Sequence, residues 1–230
     1  MLGKLLFHSS DVVSTSFGVA TIAIFATAAL TLLGLSWVSE RWRIPLALSG
    51  IATLASALSY LDAAQVWLAT QTMTAAYRYI GWFTVQPLQV ADLFFLARIA
   101  GPVPAGVFWR TAVAAVLMVL SRYLGDAGLF NATLGVLLSV AFWLYILGEQ
   151  YFGAMSAAIR KTSGAMRLGY FWIRLIFTVG WAIYPILYFV DVVIGAGQAR
   201  GVIVLYTLAD LVNLIAVSLI MLTVAGQERY

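Results

Sequence analysis

Seven long apolar segments follow one another along the chain, and each is long enough to cross a lipid bilayer as one helix. A transmembrane helix needs about 20 mostly apolar residues, and its backbone must satisfy its own hydrogen bonds within the lipid. The sequence therefore predicts an all-α membrane protein with a single seven-helix transmembrane domain over residues 1–230. The predicted spans are Val13–Val38, Ile44–Trp67, Thr74–Ala97, Ala105–Leu124, Leu129–Leu147, Tyr170–Ile194 and Gly201–Val224.

The scarcity of polar residues excludes several other classes of protein. Of the 230 residues, 63% are hydrophobic and 10% are charged, whereas soluble domains contain about 25% charged residues. The chain has no cysteine, which excludes disulfides, thiolate metal sites and cysteine nucleophiles. Its one histidine, His8, precedes the first span, so no metal site is expected. No nucleophile with an adjacent base occurs in the spans, so no enzymatic activity is expected either.

The basic residues predict the orientation of the chain in the membrane. Seven crossings place nine of them on the C-terminal side and four on the N-terminal side. The larger group is Arg41, Arg43, Arg98, Arg110, Arg160, Lys161, Arg167, Arg174 and Arg229, and the smaller group is Lys4, Arg78, Arg122 and Arg200. Because basic residues concentrate in cytoplasmic loops, we expect an outside N-terminus and a cytoplasmic C-terminus in the cell (inner) membrane. Their scatter indicates topology rather than nucleic-acid binding, and residues 1–10, which lack a convincing cleavage site, are expected to form an outer tail.

Three ionisable residues stand out within the spans. Asp210 lies ten residues after Arg200, which is about 15 Å of helix and close to the bilayer midplane. Arg78, near the outer end of the third span, can reach inward to pair with Asp210. Asp92 lies fourteen residues after Arg78, roughly 21 Å further along and near the cytoplasmic mouth. These residues form either a polar track or a structural Arg–Asp pair with a separate interfacial aspartate.

Aromatic residues form a second candidate feature in the third and sixth spans. Trp181, Tyr184 and Tyr188 share one helical face because they are three and four residues apart. With Trp82 they could wall a slot for a flat, conjugated ligand, and plain packing is the alternative interpretation. Tyr60 falls nearer a segment end and suits the interfacial belt.

Four short motifs carry a resemblance to a known family. The third span contains Arg78–Trp82 (RYIGW) followed by Pro87, and the sixth contains Gly180–Pro185 (GWAIYP). The seventh contains Leu208–Asn213 (LADLVN), and Tyr123–Gly128 (YLGDAG) forms the turn after the fourth. In this order the motifs resemble those of the microbial rhodopsins, nearest the proteorhodopsin branch. The resemblance covers essentially the whole chain and implies a bacteriorhodopsin-like seven-helix bundle.

The residues that carry the family's chemistry have changed. The family's retinal-binding lysine, one turn after the aspartate of the last span, is matched by Leu214, which has no amine and cannot form an imine. The proton-acceptor aspartate is matched by Gly81 and the next motif position, usually threonine, by Val85. The cytoplasmic proton donor is matched by Asp92, and the histidine of the second span by Ser59. The resemblance therefore excludes covalent retinal in this chain.

The two losses are consistent with each other. In the family, the buried Schiff-base cation is balanced by two carboxylates and an arginine. Without the cation, a second carboxylate would be unpaired in a low dielectric. Gly81 in place of the acceptor restores a one-to-one Arg78–Asp210 pair, so the chain is expected to be adapted to life without a Schiff base.

Three functions follow from the resemblance and these changes. The first is noncovalent binding of retinal, a carotenoid or another apolar ligand, with a photosensory or accessory role. The expected pocket consists of Gly81, Trp82, Val85, Trp181, Tyr184, Tyr188, Asp210 and Leu214. The alternative is a non-catalytic partner of genuine rhodopsins, which implies a homo-oligomer or hetero-oligomer in the bilayer. A light-driven proton pump or ion transporter is disfavoured, because the imine and the acceptor are both missing.

Overall fold

The computed structural model is a bundle of helices, and it describes residues 11–73, 75–162, 164–194 and 200–228. The α-helices of these residues are α1 Val12–Leu33, α2 Glu40–Thr70, α3 Ala75–Ala100, α4 Ala105–Asp126, α5 Ala132–Phe152, α6 Ala154–Ile159, α7 Ala165–Leu175, α8 Trp181–Ile194 and α9 Arg200–Gln227. A 3₁₀ turn over Gly34–Ser36 extends α1, and a π turn over Ile176–Gly180 joins α7 to α8.

The described residues contain seven helical spans that are long and apolar enough to cross a membrane. Helices α1 to α4 supply the first four spans, α5 and α6 together form the fifth, α7 and α8 form the sixth, and α9 forms the seventh. The predicted all-α, seven-helix transmembrane bundle is therefore confirmed. The expectations for Lys4, His8, Arg229 and the turn at 195–198 lie outside the described residues.

Local signals explain where the observed spans depart from the predicted ones. Helix α5 begins at Ala132 rather than at Leu129, because the Asn131 side chain caps it by accepting a hydrogen bond from the Leu134 amide at 3.0 Å. The sixth span begins earlier, at Ala165, and its π turn lies just before Pro185. Proline lacks the amide donor that a regular helix needs at that point, and π turns are one way a helix accommodates such a break.

Polar contacts hold neighbouring helices together at each end of the bundle. At the Asp11 end, the Asp11 carboxylate accepts hydrogen bonds from the Val13 amide at 3.1 Å and from the Trp67 indole. Burial alone would raise the pKa of Asp11, but these hydrogen bonds and nearby Arg200 hold it below its usual range. At the Glu228 end, Arg41 donates to the Glu228 carbonyl at 2.9 Å.

The helices pack closely everywhere along the path of the chain except between α5 and the sixth span. Helix α4 meets α5 through small residues, since a Cβ on Gly135 would lie 2.7 Å from the Ser121 carbonyl oxygen. The backbones of α5 and the sixth span stay further apart. Side chains bridge the gap, with the Trp143 indole donating to the Phe177 carbonyl at 2.8 Å and Tyr151 bonding Thr178 at 2.9 Å. This looser packing leaves room for a cleft.

Candidate functional site

The carboxylate of Asp210 is the centre of a hydrogen-bonded cluster that joins α2, α3, α8 and α9. It accepts hydrogen bonds from the hydroxyls of Tyr60 at 2.6 Å and Tyr184 at 2.5 Å, and from the Trp82 indole at 3.2 Å. The Asn213 amide in turn donates to the Tyr184 hydroxyl at 3.1 Å. The carboxylate is thus paired with three donors from three different spans, which is the arrangement that makes a buried acceptor tolerable.

Arg78 does not pair with Asp210 in this cluster. Its guanidinium lies over the Tyr206 ring, 4.1 Å from the ring centroid, and 6.0 Å from that of Trp82. Within the described part of the chain, Arg78 has no carboxylate oxygen within 4.0 Å. The direct Arg78–Asp210 ion pair expected from the sequence is therefore wrong. Hydrogen bonds from two tyrosines and a tryptophan satisfy the Asp210 carboxylate instead. The Arg78 guanidinium stacks on the Tyr206 ring.

Gly81 and Ser59 meet where α3 crosses α2. A Cβ on Gly81 would lie 3.0 Å from the Ser59 hydroxyl oxygen and 3.2 Å from the Ser59 Cβ. The two helices are therefore too close at this point for a larger side chain at residue 81 without a shift. The resemblance matches these two positions to an aspartate and a histidine of the family, whereas both residues are small here.

A cavity, here called the polar cavity because Arg78 and Asp210 line it, lies on the Asp11 side of this crossing. The cavity, including its mouth, contains about 440 Å³ of space that atoms do not fill. About 40 Å³ of this space is wide enough for water-sized molecules. Tyr60, Arg78, Gly81, Trp82 and Asp210 are among its lining residues. The cavity can hold a few water molecules beside the arginine and the carboxylate.

Leu214, which the resemblance matches to the family's lysine, lies in a closed apolar cluster. Leu214 and Val85 are each 4% exposed and pack with Ala20, Ile24 and Ala57. The cluster is filled by side chains from α1, α2, α3 and α9. Neither Leu214 nor Val85 lines the polar cavity or the aromatic cleft described next.

An aromatic cleft opens between α3, α4, α5, α8 and α9. It contains about 560 Å³ of space not filled by atoms, mouth included, of which about 60 Å³ is wide enough for water-sized molecules. Its lining residues are Trp82, Gln86, Met118, Val119, Arg122, Val136, Ser139, Val140, Trp143, Trp181, Tyr184, Pro185 and Tyr206. The cleft is therefore a narrow, mostly apolar slot with three tryptophans in its walls.

The eight residues expected to form one pocket fall into separate environments. Trp181 lines the aromatic cleft, Trp82 and Tyr184 form the boundary between the cleft and the Asp210 cluster, and their rings touch edge to face at 4.9 Å. Gly81 and Asp210 belong to the polar cavity, and Val85 and Leu214 to the closed apolar cluster. Tyr188 is buried beneath the Arg122 guanidinium, 4.0 Å from its ring centroid, and does not line the cleft. The single slot expected from the sequence is thus divided.

The third member of the expected polar track is far from the other two. Asp92 is 1% exposed, and its carboxyl oxygens have no hydrogen-bond partner among the described residues. Ser49 lies beside it and is hydrogen-bonded to Ser218 at 3.0 Å. Because Leu214 lies between Asp210 and Ser218 along α9, its apolar cluster interrupts the polar route.

Four residues of the site were not anticipated from the sequence. Sequence position favours the interfacial belt for Tyr60, Arg122 contributes only to the topology, and no pattern assigns a role to Asn213 or Trp143. Asn213 follows Asp210 by three residues, which puts the two on one helical face and is the one signal that could have identified it. The contribution of Tyr60 depends on how α2 packs against α9, which no local pattern encodes.

A bundle of seven apolar spans with a hydrogen-bonded carboxylate buried among its second, third, sixth and seventh spans is the architecture of a rhodopsin-type membrane protein. The chain belongs to the bacteriorhodopsin-like family, whose model, described as bacteriorhodopsin-like protein, matches residues 11–227. It is accordingly a multi-pass membrane protein.

The relatives include two proteorhodopsins. A green-light absorbing proteorhodopsin from Gamma-proteobacterium EBAC31A08 is 30% identical over 221 residues, covering 96% of this chain and 89% of that protein. A blue-light absorbing proteorhodopsin from Gamma-proteobacterium Hot 75m4 is 32% identical, covering 95% and 88%. These matches support the expected proximity to the proteorhodopsin branch.

Solved structures agree with this assignment. The crystal structure of a blue light-absorbing proteorhodopsin from Med12 has a TM-score of 0.81 at 29% identity and covers 95% of this chain and 100% of that one. Xanthorhodopsin, described as a light-driven ion pump with dual chromophore, has a TM-score of 0.82 at 20% identity, covers 94% and 93%, and shares the fold.

Proposed function

We propose that this rhodopsin-type protein binds retinal, a carotenoid or another elongated apolar ligand noncovalently, in a photosensory or accessory role. The observation that carries the proposal is the contrast between the open aromatic cleft and the filled cluster around Leu214. A mostly apolar slot with a few polar groups is the usual form of a site for such ligands.

The chemistry at Leu214 supports noncovalent rather than covalent binding. A leucine side chain has no amine, and the described part of the chain contains one lysine, Lys161, in the connection between α6 and α7. The residues at the family's attachment point therefore do not fit an imine-linked retinal. Any retinal would have to be held by contacts alone.

The walls of the cleft supply such contacts. Trp82, Trp143 and Trp181 present flat rings that suit the faces of a conjugated chain. The slot is narrow, so an occupant must displace side chains. The loose packing between α5 and the sixth span makes this the face at which they can yield and through which a ligand can enter from the lipid.

The direct test is purification of the full chain from membranes supplied with all-trans-retinal, followed by borohydride reduction. Noncovalent binding predicts a pigment that co-purifies with the protein, is removed by organic solvent and leaves no mass adduct after reduction. Purified protein without pigment and without a spectral shift, for retinal and for carotenoids alike, would overturn the proposal.

A second candidate function is a non-catalytic assembly partner of genuine rhodopsins, as a homo-oligomer or hetero-oligomer. It is supported by the fifth span, which has the smallest buried share of the seven described spans, 22% of its most apolar window. Co-purification with a pigmented proteorhodopsin would support this function, and strictly separate elution would count against it. Proton pumping is not proposed, because Leu214 cannot form the imine and Gly81 has no carboxylate to accept a proton.

The proposed setting is the cell (inner) membrane with the Asp11 end outside. The uneven distribution of basic residues, nine against four, supports this orientation. Protease accessibility of tags placed at the two ends of the chain would test it.

A further inference from the structure

One charged side chain reaches the aromatic cleft. Among the described residues that line the cleft, Arg122 alone carries a formal charge. Its side chain is only 12% exposed, although arginine is costly to place within a membrane span. We propose that Arg122 anchors the carboxylate end of an amphiphilic ligand whose apolar body lies in the cleft, an inference that rests on the proposed function of this site.

The surroundings of Arg122 hold its guanidinium in place. On one side it forms an ion pair with Asp126, one helical turn along α4. On another it covers the Tyr188 ring, 4.0 Å from the centroid. A guanidinium has five N–H donors in a fixed plane, so an ion pair with one carboxylate leaves donors for a second acceptor. The group is therefore fixed in position before a ligand arrives, which limits the entropy lost on binding.

The ion pair with Asp126 leaves N–H groups of the Arg122 guanidinium available for another acceptor. The Tyr79 hydroxyl also donates to Asp126, so the arginine and the tyrosine share this carboxylate. A ligand carboxylate beside Arg122 in the cleft would meet the remaining guanidinium N–H groups. Arg–carboxylate contacts of this kind are stronger than hydrogen bonds between neutral groups.

A second polar group lies deeper in the cleft. Gln86 is 5% exposed, its Oε1 atom has no hydrogen-bond partner among the described residues, and its side chain lines the cleft. Tyr79, at the level of Asp126, precedes Gln86 by seven residues, so the two polar groups are separated by about 10 Å along the bundle. The mostly apolar cleft thus carries one charged group, at Arg122, and one buried polar atom without a described partner, at Gln86, which fits a polyene or alkyl carboxylate better than a hydrocarbon.

Three polyenes that differ only at one end provide the test. The full chain in detergent is titrated with retinoic acid, retinal and retinol, and binding is measured by quenching of tryptophan fluorescence, since three tryptophans line the cleft. We expect retinoic acid to bind about tenfold or more tightly than retinol, in line with the greater strength of charge-assisted contacts. The Arg122→Gln variant should lose this preference while still binding retinol.

Two further variants separate anchoring from a loss of structure. Arg122→Gln combined with Asp126→Asn removes both charges and avoids an unpaired carboxylate, and it should also lose the preference. Arg200→Gln, an exposed arginine at the same end of the bundle, should keep it. Equal affinity of wild type for the three polyenes, or a preference that survives in both Arg122 variants, would overturn the anchor while leaving noncovalent binding intact. Failure of all three polyenes to bind would overturn the proposed function as well.

Discussion

Trp82 separates two regions of the bundle that differ in how tightly they are filled. Toward α2 and α9, its indole donates to Asp210. Gly81, Ser59 and Leu214 lie on that side, and the resemblance matches them to larger or reactive residues of the family. Toward α4 and α5, Trp82 lines a cleft that is still open. In this chain the open aromatic cleft and the filled cluster around Leu214 are therefore separate.

The largest expected effect comes from removing the carboxylate on the polar side. Asp210→Ala leaves the two tyrosine hydroxyls and the Trp82 indole without their acceptor, and should lower the free energy of unfolding by roughly 3–5 kcal/mol. Thermal unfolding in detergent measures this loss. Asp62→Ala, at an exposed aspartate of α2, is the matched control. A loss no larger than that of the control would mean that the cluster does not hold the spans together.

A new amine in the closed cluster is the next test of the comparison. Leu214→Lys buries an amine among Ala20, Ile24 and Val85, and without retinal it should cost about 2.5–3.5 kcal/mol. Leu214→Met should cost less than about 1.5 kcal/mol. With retinal added, neither variant should acquire a mass adduct after borohydride reduction, because the closed cluster separates residue 214 from the aromatic cleft. Equal stability of the two variants would show that this side is not closed.

The close contact between α2 and α3 predicts a smaller loss of stability, which a second mutation should partly reverse. Gly81→Asp forces a side chain against Ser59, and should cost about 1–3 kcal/mol. Adding Ser59→Gly should recover much of that loss. Gly106→Asp is the control, because a Cβ there meets nothing within 4 Å. Absence of recovery in the double variant would contradict the steric account.

The smallest expected effect lies outside both regions, at the start of α1. The folded-state pKa of Asp11 is held below its unfolded value by hydrogen bonds from Trp67 and Val13. Its contribution to stability is therefore present above the unfolded pKa and is lost as pH falls through the folded one. Asp11→Asn should destabilise at neutral pH, and the difference from wild type should shrink below about pH 4. A difference that is constant with pH would contradict this assignment.

The sequence predicts the fold well because span length and apolar content are local properties, and the seven spans follow from them directly. It predicts less of the site. The Arg78–Asp210 pair is a reasonable expectation from spacing, yet Tyr60 and Tyr184 reach the carboxylate first. Which donor reaches a buried acceptor depends on how helices distant in sequence pack against each other.

The division of the pocket has the same origin. Helical spacing places Tyr188 on the face of Trp181 and Tyr184, but Arg122 from α4 covers it. The closing of the cluster around Leu214 depends on α1, which carries none of the family motifs in this chain. Position on a helix can be deduced from sequence, whereas the side chain that arrives from a neighbouring helix cannot.

An experimental density map of the full chain purified with retinal tests the central claim most directly. The account predicts ligand density in the aromatic cleft between Trp82, Trp143 and Trp181, with α5 and the sixth span moved apart, and no density continuous with Leu214. A cleft closed by its own side chains, or ligand density running into the cluster around Leu214, would contradict it.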